Sequence, residues 1–172
     1  MQSLANRLAI QHFVNAYTQE TGKGHLLNKN QQSPQQQAFS QGLTLLTIPI
    51  HSIQAQCYFP LAYVSRVGRH RLADFPQIII QGQVRTFSPV AIVGLLLEEL
   101  VFESDIPLDA ASLVEKWIQS RDALQQFLVQ REHDFDDLVK AGQNFIESEQ
   151  ALVLGHSMHP APKSRTGFVH ED

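Results

Sequence analysis

The sequence predicts an α+β protein in which a small, mainly antiparallel sheet packs against several helices, with a motif loop after the last helix. Three observations support this fold class. Apolar residues recur at helical spacing near the N-terminus and again through the second half of the chain. Between these two regions lie short runs of β-branched and aromatic residues separated by proline and glycine. Such runs are typical of strands joined by turns.

The first predicted element is an amphipathic helix over residues 1–22. Its apolar residues recur at helical spacing, Ser3 is a suitable N-cap, and Gly22 is a suitable end signal. Residues 23–41 are rich in asparagine, glutamine and serine, and they show no apolar periodicity. We predict a mobile surface loop there, for which a solvated insertion is favoured over a substrate-covering role.

Residues 43–87 are predicted to form the sheet. Four runs share a content of β-branched and aromatic residues, and Pro49, Pro60 and Gly68 punctuate them. The candidate strands are 43–50, 53–59, 62–67 and 78–80. Their short connections favour an antiparallel arrangement.

Four basic residues lie at the end of the third candidate strand: Arg66, Arg69, His70 and Arg71. Two interpretations stay open for them. The favoured one is a solvated turn whose charges pair with nearby carboxylates. The other is an anion-binding site, because arginine presents a planar fork that matches carboxylates and phosphates.

Helices are predicted over residues 88–154. Ser88 followed by Pro89 is a sound helix start, and the apolar run after it predicts the most buried helix of the chain. Glu98 and Glu99 are adjacent on this helix, so their side chains diverge by about 100 degrees. We therefore predict that both are surface charges and not an acid–base pair.

Two further helices are predicted in the same region. Asp109 is a suitable cap for the first, which carries an apolar stripe. The segment 133–137 contains one histidine and three aspartates, which a metal site would also use. We interpret it instead as the acidic first turn of the last helix, where the helix dipole favours carboxylates.

Composition limits the classes of function. A formal charge of -4 argues against a protein that binds nucleic acid through bulk charge. Cys57 is the single cysteine, so an intramolecular disulfide is excluded, and its strand context predicts a buried, unreactive thiol. The apolar run 90–97 is shorter than the roughly 20 residues that span a bilayer. The N-terminus also lacks the apolar core of a signal peptide, so we expect a cytoplasmic protein without a membrane partner.

The stretch 155–168 concentrates the residues that carry chemistry. Its prolines exclude a helix. In an extended chain Lys163 and Arg165 point to the same side, where they offer a point charge and a planar fork. Ser164 and Thr166 add hydroxyl donors. These residue types suit a phosphate or carboxylate ligand, and no Walker-type sequence occurs in the chain.

The residues around this stretch resemble the ATP-binding signature of the NIS synthetases, the siderophore synthetases of aerobactin-synthetase type. The family pattern is Glu-Gln, a short apolar stretch, then Gly-His-Pro-x-His-Pro-x-x-Lys-x-Arg-x-Gly-Phe. Ser157 stands where the family usually carries proline. The matching residues are Glu149-Gln150, Gly155-His156, His159-Pro160, Lys163, Arg165 and Gly167-Phe168.

The resemblance implies an ATP-dependent ligase with ATP and Mg²⁺ as cofactors. Such enzymes convert a carboxylate, citrate or a derivative of it, into an acyl-adenylate that an amine or alcohol then captures. The resemblance assigns nucleotide binding to His156, Ser157, His159, Lys163, Ser164, Arg165 and Thr166, and it leaves the catalytic residues unknown.

Family members are several times longer than this chain. The resemblance therefore implies that residues 1–172 are an N-terminal portion, inactive alone, with the remainder of the synthetase as its partner. A homodimer stays open.

Two other classes stay open beside the ligase. One is a non-catalytic domain that binds a partner and has a basic C-terminal tail. The other is a metal-binding protein that uses His51, His156, His159 and His170. Because a zinc site needs three or four protein ligands and the pair His156 and His159 supplies two, no metal site is predicted.

Overall fold

The computed structural model describes residues 2–73, 76–103, 107 and 109–130. These residues form helices and antiparallel strands, which confirms the predicted α+β class. The helices are α1 (Gln2–Thr21), α2 (Pro34–Ser40), α3 (Pro89–Glu103) and α4 (Ala110–Gln130). The strands are β1 (His25–Leu27), β2 (Thr44–Ile50), β3 (Ala55–Tyr63), β4 (Arg71–Leu72), β5 (Gln77–Ile80) and β6 (Gln83–Thr86). Short 3₁₀ turns cover Lys29–Gln31 and His51–Ile53.

The sheet has the strand order β1-β2-β3-β5-β6, and β4 also pairs with β3. All of these pairs are antiparallel. The longest pair joins β2 to β3, with Thr44 opposite Leu61 and Ile50 opposite Ala55. The 3₁₀ turn His51–Ile53 connects these two strands. Because antiparallel neighbours need only short connections, one short stretch of the chain can supply all the strands of this sheet.

One face of the sheet and three helices enclose the hydrophobic core. On β2 and β3 every second residue, such as Ile48 and Phe59, points into it, as the alternation of side chains along a strand requires. Helix α1 contributes Ile10, α3 contributes Leu96, and α4 contributes Trp117. Helices α1 and α3 lie against this face of the sheet, and α4 packs against α1 and α3.

The opposite face of the sheet is covered in part by α2. Phe39 of α2 meets the ring of Tyr58 edge to face, with 5.8 Å between the ring centroids. Leu45 lies on the same side as Tyr58 in the β2–β3 register and is fully buried. Buried residues on both faces distinguish the centre of this sheet from one that is half exposed.

Three boundaries of the long helices agree with the sequence predictions, whereas the predicted N-cap Ser3 is wrong because it lies inside α1, which already includes Gln2. Helix α1 ends at Thr21, and Gly22 follows with a φ of +67°. The Ser88 hydroxyl accepts a hydrogen bond from the Ala91 N–H at the start of α3. The Asp109 carboxylate accepts one from the Ser112 N–H at the start of α4. Such side chains satisfy N–H groups that have no partner within the helix.

The prediction of a mobile surface loop over residues 23–41 is wrong, because this segment has regular secondary structure. This segment contains β1, a 3₁₀ turn and α2. Ser33 and Gln36 form a capping box at the start of α2, with Pro34 as the first helical residue. The buried Gln32 side chain donates hydrogen bonds to the Leu27 and Leu43 carbonyls, and so ties the segment to the sheet.

The third candidate strand, residues 62–67, is also wrong as a separate element. Strand β3 continues through Pro60 to Tyr63, and a turn follows it up to β4. The Pro60 carbonyl accepts a hydrogen bond from the Ala73 N–H, so the missing N–H of Pro60 faces the β4 side. Strand β5 pairs with β3 only as far as Tyr58, and β4 ends at Leu72, so Pro60 lies between the two partner strands and interrupts neither pairing.

None of the described helices is both long enough and apolar enough to cross a membrane. The helix predicted after residue 133 and the motif loop 155–168 lie outside the described residues. So does the acidic segment 133–137. The described fold is therefore the helix–sheet domain up to Gln130.

Candidate functional site

The predicted nucleotide-binding residues lie outside the described part of the chain. This holds for His156, Ser157, His159, Lys163, Ser164, Arg165 and Thr166. Of the four histidines of the metal-binding alternative, only His51 is described. Their assignments therefore stay predictions, and the helix–sheet domain contains a different group of ionisable side chains.

Five ionisable side chains meet where the C-terminal half of α3 approaches the end of α1 and the turn His51–Ile53. We call this group the Glu99 cluster, and its members are Tyr17, Lys23, His51, Glu99 and Glu103. Glu99 and Glu103 lie one turn apart on α3, so their side chains share one face of the helix.

Glu99 is completely buried, and its carboxylate is held by N–H donors. Its Oε1 accepts hydrogen bonds from the His51 backbone N–H and from His51 Nδ1, both at 2.8 Å. Its Oε2 accepts one from the Ser52 backbone N–H at 3.0 Å. Burial by itself raises the pKa of Glu99, but the hydrogen bonds from Ser52 and His51 outweigh it and lower the pKa below its usual value. Glu99 is therefore an ionised carboxylate that fastens α3 to the β2–β3 connection.

The prediction that Glu98 and Glu99 are both surface charges is right for Glu98 and wrong for Glu99. The sequence contained a usable pattern, because Glu99 follows the buried residues Ile92 and Leu96 at helical spacing. A carboxylate in an apolar stripe requires donors, and the sequence did not show that the backbone of His51 and Ser52 would supply them.

Glu103 and Lys23 complete the charged part of the cluster. Lys23 Nζ forms an ion pair with Glu103. His51 Nδ1 lies 2.9 Å from Glu103 Oε1, and the imidazole is more than half exposed to solvent. A single Nδ1–H is thus shared between two carboxylates, which favours the Nδ1-protonated tautomer of His51.

Tyr17 lies beside the cluster and is buried. Burial, and then the negative charge of Glu99, raise the pKa of Tyr17 to about 12. Its hydroxyl has no hydrogen-bond partner within residues 2–73, 76–103, 107 and 109–130. Tyr17 therefore stays neutral at physiological pH and serves as a packing residue next to the carboxylate.

The cluster has the ligand types of a metal site, since donor atoms of His51, Glu99 and Glu103 lie within 4.8 Å of one another. Three features oppose that use. Both Glu99 oxygens already accept N–H hydrogen bonds, His51 Nδ1 already faces two carboxylates, and Lys23 neutralises Glu103. A cation would have to displace these partners, so the arrangement acts as a structural clamp.

The basic residues at the end of β3 separate into two kinds. Arg66, Arg69 and Arg71 are exposed, whereas His70 is buried and burial lowers its pKa. His70 is therefore a neutral structural residue. The predicted pairing of the arginines with nearby carboxylates does not occur within the described residues, where the ion pairs involve Lys23, His51 and Arg121.

Cys57 fits its predicted character. It is fully buried in β3, and burial raises the pKa of its thiol. A thiol that is both inaccessible and protonated is unreactive, so Cys57 is a core residue.

Comparisons with known proteins address the part of the chain that the geometry leaves open. Residues 144–172 match the model of the IucA / IucC family. A spermidine-citrate ligase of Bacillus anthracis is 27% identical over 98% of this chain and 29% of its own length. An N(2)-citryl-N(6)-acetyl-N(6)-hydroxylysine synthase of Escherichia coli is 27% identical over 98% of this chain and 27% of its own length.

Solved structures agree with these relatives. The ATP-bound aerobactin synthetase IucA of Klebsiella pneumoniae superimposes with a TM-score of 0.75 at 27% identity, over 95% of this chain and 27% of that chain. The chain therefore spans less than a third of the length of the proteins it matches. Together the comparisons confirm the predicted resemblance to the siderophore synthetases and the predicted fold.

Proposed function

We propose that this chain is the N-terminal portion of an ATP-dependent siderophore synthetase, a ligase that joins citrate or a citrate derivative to an amine or alcohol. ATP and a carboxylate are its substrates, Mg²⁺ accompanies the nucleotide, and the remainder of the synthetase completes the active site. The portion alone is expected to be inactive.

One observation carries the proposal. The family model matches residues 144–172, and this is the same stretch in which the spacing of histidine, lysine and arginine indicates an anion site. The two arguments are different in kind, since one compares sequences and the other considers which side chains can hold a polyphosphate. The relatives add the substrate class, because both are named for products or substrates that contain a citryl group.

The chemistry proposed for the motif is charge stabilisation. A carboxylate oxygen attacks the α-phosphorus of ATP, pyrophosphate leaves, and an acyl-adenylate forms. The amine or alcohol then attacks the acyl carbon, AMP leaves, and the nucleophile loses its proton. Lys163 and Arg165 would bind the phosphate oxygens, and His156 and His159 would donate ring N–H groups.

Three hydroxyls and the metal ion have supporting roles in this proposal. Ser157, Ser164 and Thr166 are neutral donors next to the cations. Mg²⁺ would share the charge of the phosphates when the nucleotide is bound. The donor set of the motif, which is rich in cations and hydroxyls and poor in carboxylates, fits the phosphates themselves better than it fits the metal ion.

The helix–sheet domain is proposed to act as a scaffold. Its buried carboxylate is fully engaged by backbone N–H groups, and its cysteine is inaccessible. Neither group is therefore available for the chemical step. Helix α4 packs Trp117, Leu124 and Leu128 into the core, so it provides a fixed point from which the chain continues towards the motif.

The proposal is tested with this chain fused to the downstream region of a relative and assayed for ATP-dependent, hydroxylamine-trapped activation of citrate. Lys163→Ala and Arg165→Ala should each lower the rate by about 10²–10³-fold, since each removes one charge that stabilises the transition state. Lys116→Ala, an exposed lysine on α4, is the control with the same change of charge.

Two results would contradict the proposal. One is equal loss of activity in the Lys116 and Lys163 variants. The other is trapped citrate hydroxamate from the isolated chain, because the proposal requires the remainder of the active site. Calorimetric titration of the isolated chain with ATP–Mg²⁺ should show no tight binding.

A further inference from the structure

Three exposed arginines lie on one short turn that α1 holds in place. We call residues 64–71 the arginine turn; it follows β3 and includes the first residue of β4. Arg66, Arg69 and Arg71 are exposed on it. The nucleotide-binding proposal gives these residues no role.

Amide side chains of α1 fix the turn. Asn15 Nδ2 donates to the His70 carbonyl at 2.9 Å, and Gln19 Nε2 donates to the Val67 carbonyl at 2.8 Å. Gln11 Oε1 accepts from the N–H of Leu72, the residue after the turn, at 3.0 Å. Gln11, Asn15 and Gln19 are spaced by four residues, so they form one stripe along the helix.

Bonds within the turn add to this order. The Ser65 N–H donates to His70 Nδ1 at 3.2 Å, and the Val67 N–H donates to the Ser65 hydroxyl oxygen at 3.2 Å. Gly68 has a φ of +73°, a conformation that side chains disfavour. Because its backbone is fixed at several points, the turn presents its arginines without the entropy loss of ordering a flexible loop.

The three arginines of the turn have no carboxylate partner in the described part of the chain. Within residues 2–73, 76–103, 107 and 109–130, no carboxylate lies within 4.0 Å of Arg66, Arg69 or Arg71. The Arg71 guanidinium lies 6.0 Å from the centre of the Tyr63 ring. This chain has a formal charge of -4, so a local group of three arginines differs in sign from the molecule as a whole.

Apolar side chains are exposed at the same place. Tyr63, Val64 and Val67 are 57%, 40% and 68% exposed. Tyrosine and arginine are enriched in protein–protein interfaces, where an apolar centre is combined with polar contacts around it. A phosphate or a free carboxylate would gain from the arginines but would have no use for the valines.

We propose that the arginine turn is a docking surface for a separate protein partner that presents carboxylates beside apolar side chains. The arginines, which form no ion pair with another described residue, define the charge of that partner, and the exposed tyrosine and valines define its apolar part. A protein segment combines both properties. Nucleic acid fits less well, because its backbone offers no aliphatic surface and the overall charge of this chain is negative.

The test measures fluorescence anisotropy of a labelled peptide made of Glu-Leu-Glu-Gly repeats. The two control peptides replace glutamate by glutamine or leucine by serine. Binding of the first peptide should weaken about tenfold when NaCl is raised from about 50 mM to about 300 mM. It should also weaken about tenfold in Arg66→Gln/Arg69→Gln and in Tyr63→Ser/Val67→Ser, since each pair removes one of the two required features.

The matched control is Arg7→Gln/Arg85→Gln, which removes two exposed arginines elsewhere and should change the affinity less than about twofold. Unchanged thermal unfolding of all variants shows that the fold is retained. The proposal is overturned if the wild-type chain does not bind the first peptide, or if the control variant weakens binding equally.

Two further outcomes would also overturn it. Equal binding of the serine-containing peptide would assign the turn to anions in general, without an apolar contribution. The other outcome is salt-sensitive self-association, measured by sedimentation velocity, that is lost in Arg66→Gln/Arg69→Gln. That result would make a second copy of this chain the occupant instead of a separate partner.

Discussion

Replacing Glu99 by glutamine should destabilise the helix–sheet domain strongly, although the two side chains have nearly the same shape. The carboxylate accepts three N–H hydrogen bonds from His51 and Ser52 in a site without solvent contact. Glutamine retains one oxygen and turns an NH₂ group towards an N–H donor. One charge-assisted hydrogen bond is lost and the others weaken, which together should cost about 2–4 kcal/mol of unfolding free energy.

The measurement is urea unfolding at pH 7 followed by circular dichroism, with Glu98→Gln as the matched control. Glu98 is the neighbouring residue on α3 and is exposed, so its neutralisation should change the unfolding free energy by less than about 0.5 kcal/mol. The two variants have the same change of charge and composition. Similar stabilities of the two variants would refute the interpretation of Glu99 as a clamp.

The same pair of proteins has a defined pH dependence. Because the pKa of Glu99 is lowered in the folded state, the unfolded state binds more protons as the pH falls, and the stabilisation by Glu99 is present above the unfolded pKa of about 4.3. It is lost as the pH falls through the lower folded pKa. The stability difference between wild type and Glu99→Gln should therefore be constant from neutral pH down to about pH 5 and decrease below it. A difference that grows with acidification would contradict this assignment.

Two other predictions concern the arginine turn and the core. Gly68→Ala should lower the free energy of unfolding by about 2 kcal/mol and Gly82→Ala by about 1 kcal/mol, as measured by urea unfolding. Both glycines have a positive φ, which alanine disfavours. A Cβ at Gly68 would in addition lie 2.7 Å from Gln19 Nε2, whereas one at Gly82 meets open space. Equal costs would mean that Gln19 moves freely. Cys57 should not react with Ellman's reagent in the native protein and should react fully in urea, because it is buried and protonated. Rapid native reaction would show that β3 opens.

Three helix boundaries were predictable because their determinants are local. Ser88 and Asp109 cap α3 and α4 with their own side chains, and Gly22 takes the positive φ that ends α1. Each of these signals acts within a few residues of the boundary it sets. These signals can therefore be identified from the sequence without knowledge of contacts to distant residues.

Strand ends were less predictable because they depend on neighbours that are distant in sequence. Pro60 was interpreted as a break, but it lies within β3 at a point where its missing N–H meets a gap between β4 and β5. Pro49 lies in β2 beyond Thr47, the last residue that pairs with β1, so β2 has a strand neighbour on only one side there. Proline excludes a strand only where both sides are paired.

The polar segment 23–41 illustrates the same limit for composition. Its glutamines suggested a solvated loop, yet Gln32 is buried and bridges two carbonyl groups, while its own oxygen accepts a hydrogen bond from the Ser40 hydroxyl. An amide side chain donates and accepts hydrogen bonds at once, so it can bridge two backbone carbonyls in a connection while its own oxygen is also satisfied. Polar composition predicts exposure only when those partners are absent.

The candidate site divides along the same line between local and distant determinants. The motif after Gly155 could be proposed from the sequence alone, because lysine, arginine and histidine at this spacing are the residue types expected of an anion site. The roles of Glu99 and of the arginine turn could not be predicted from local spacing. The donors of Glu99 lie 47 and 48 residues away at Ser52 and His51, and the amides that fix the turn lie on α1, 48 to 61 residues from their partners. Residues that bind a ligand through one segment are found by spacing, whereas residues that act through the fold are found only when the distant segment is in place.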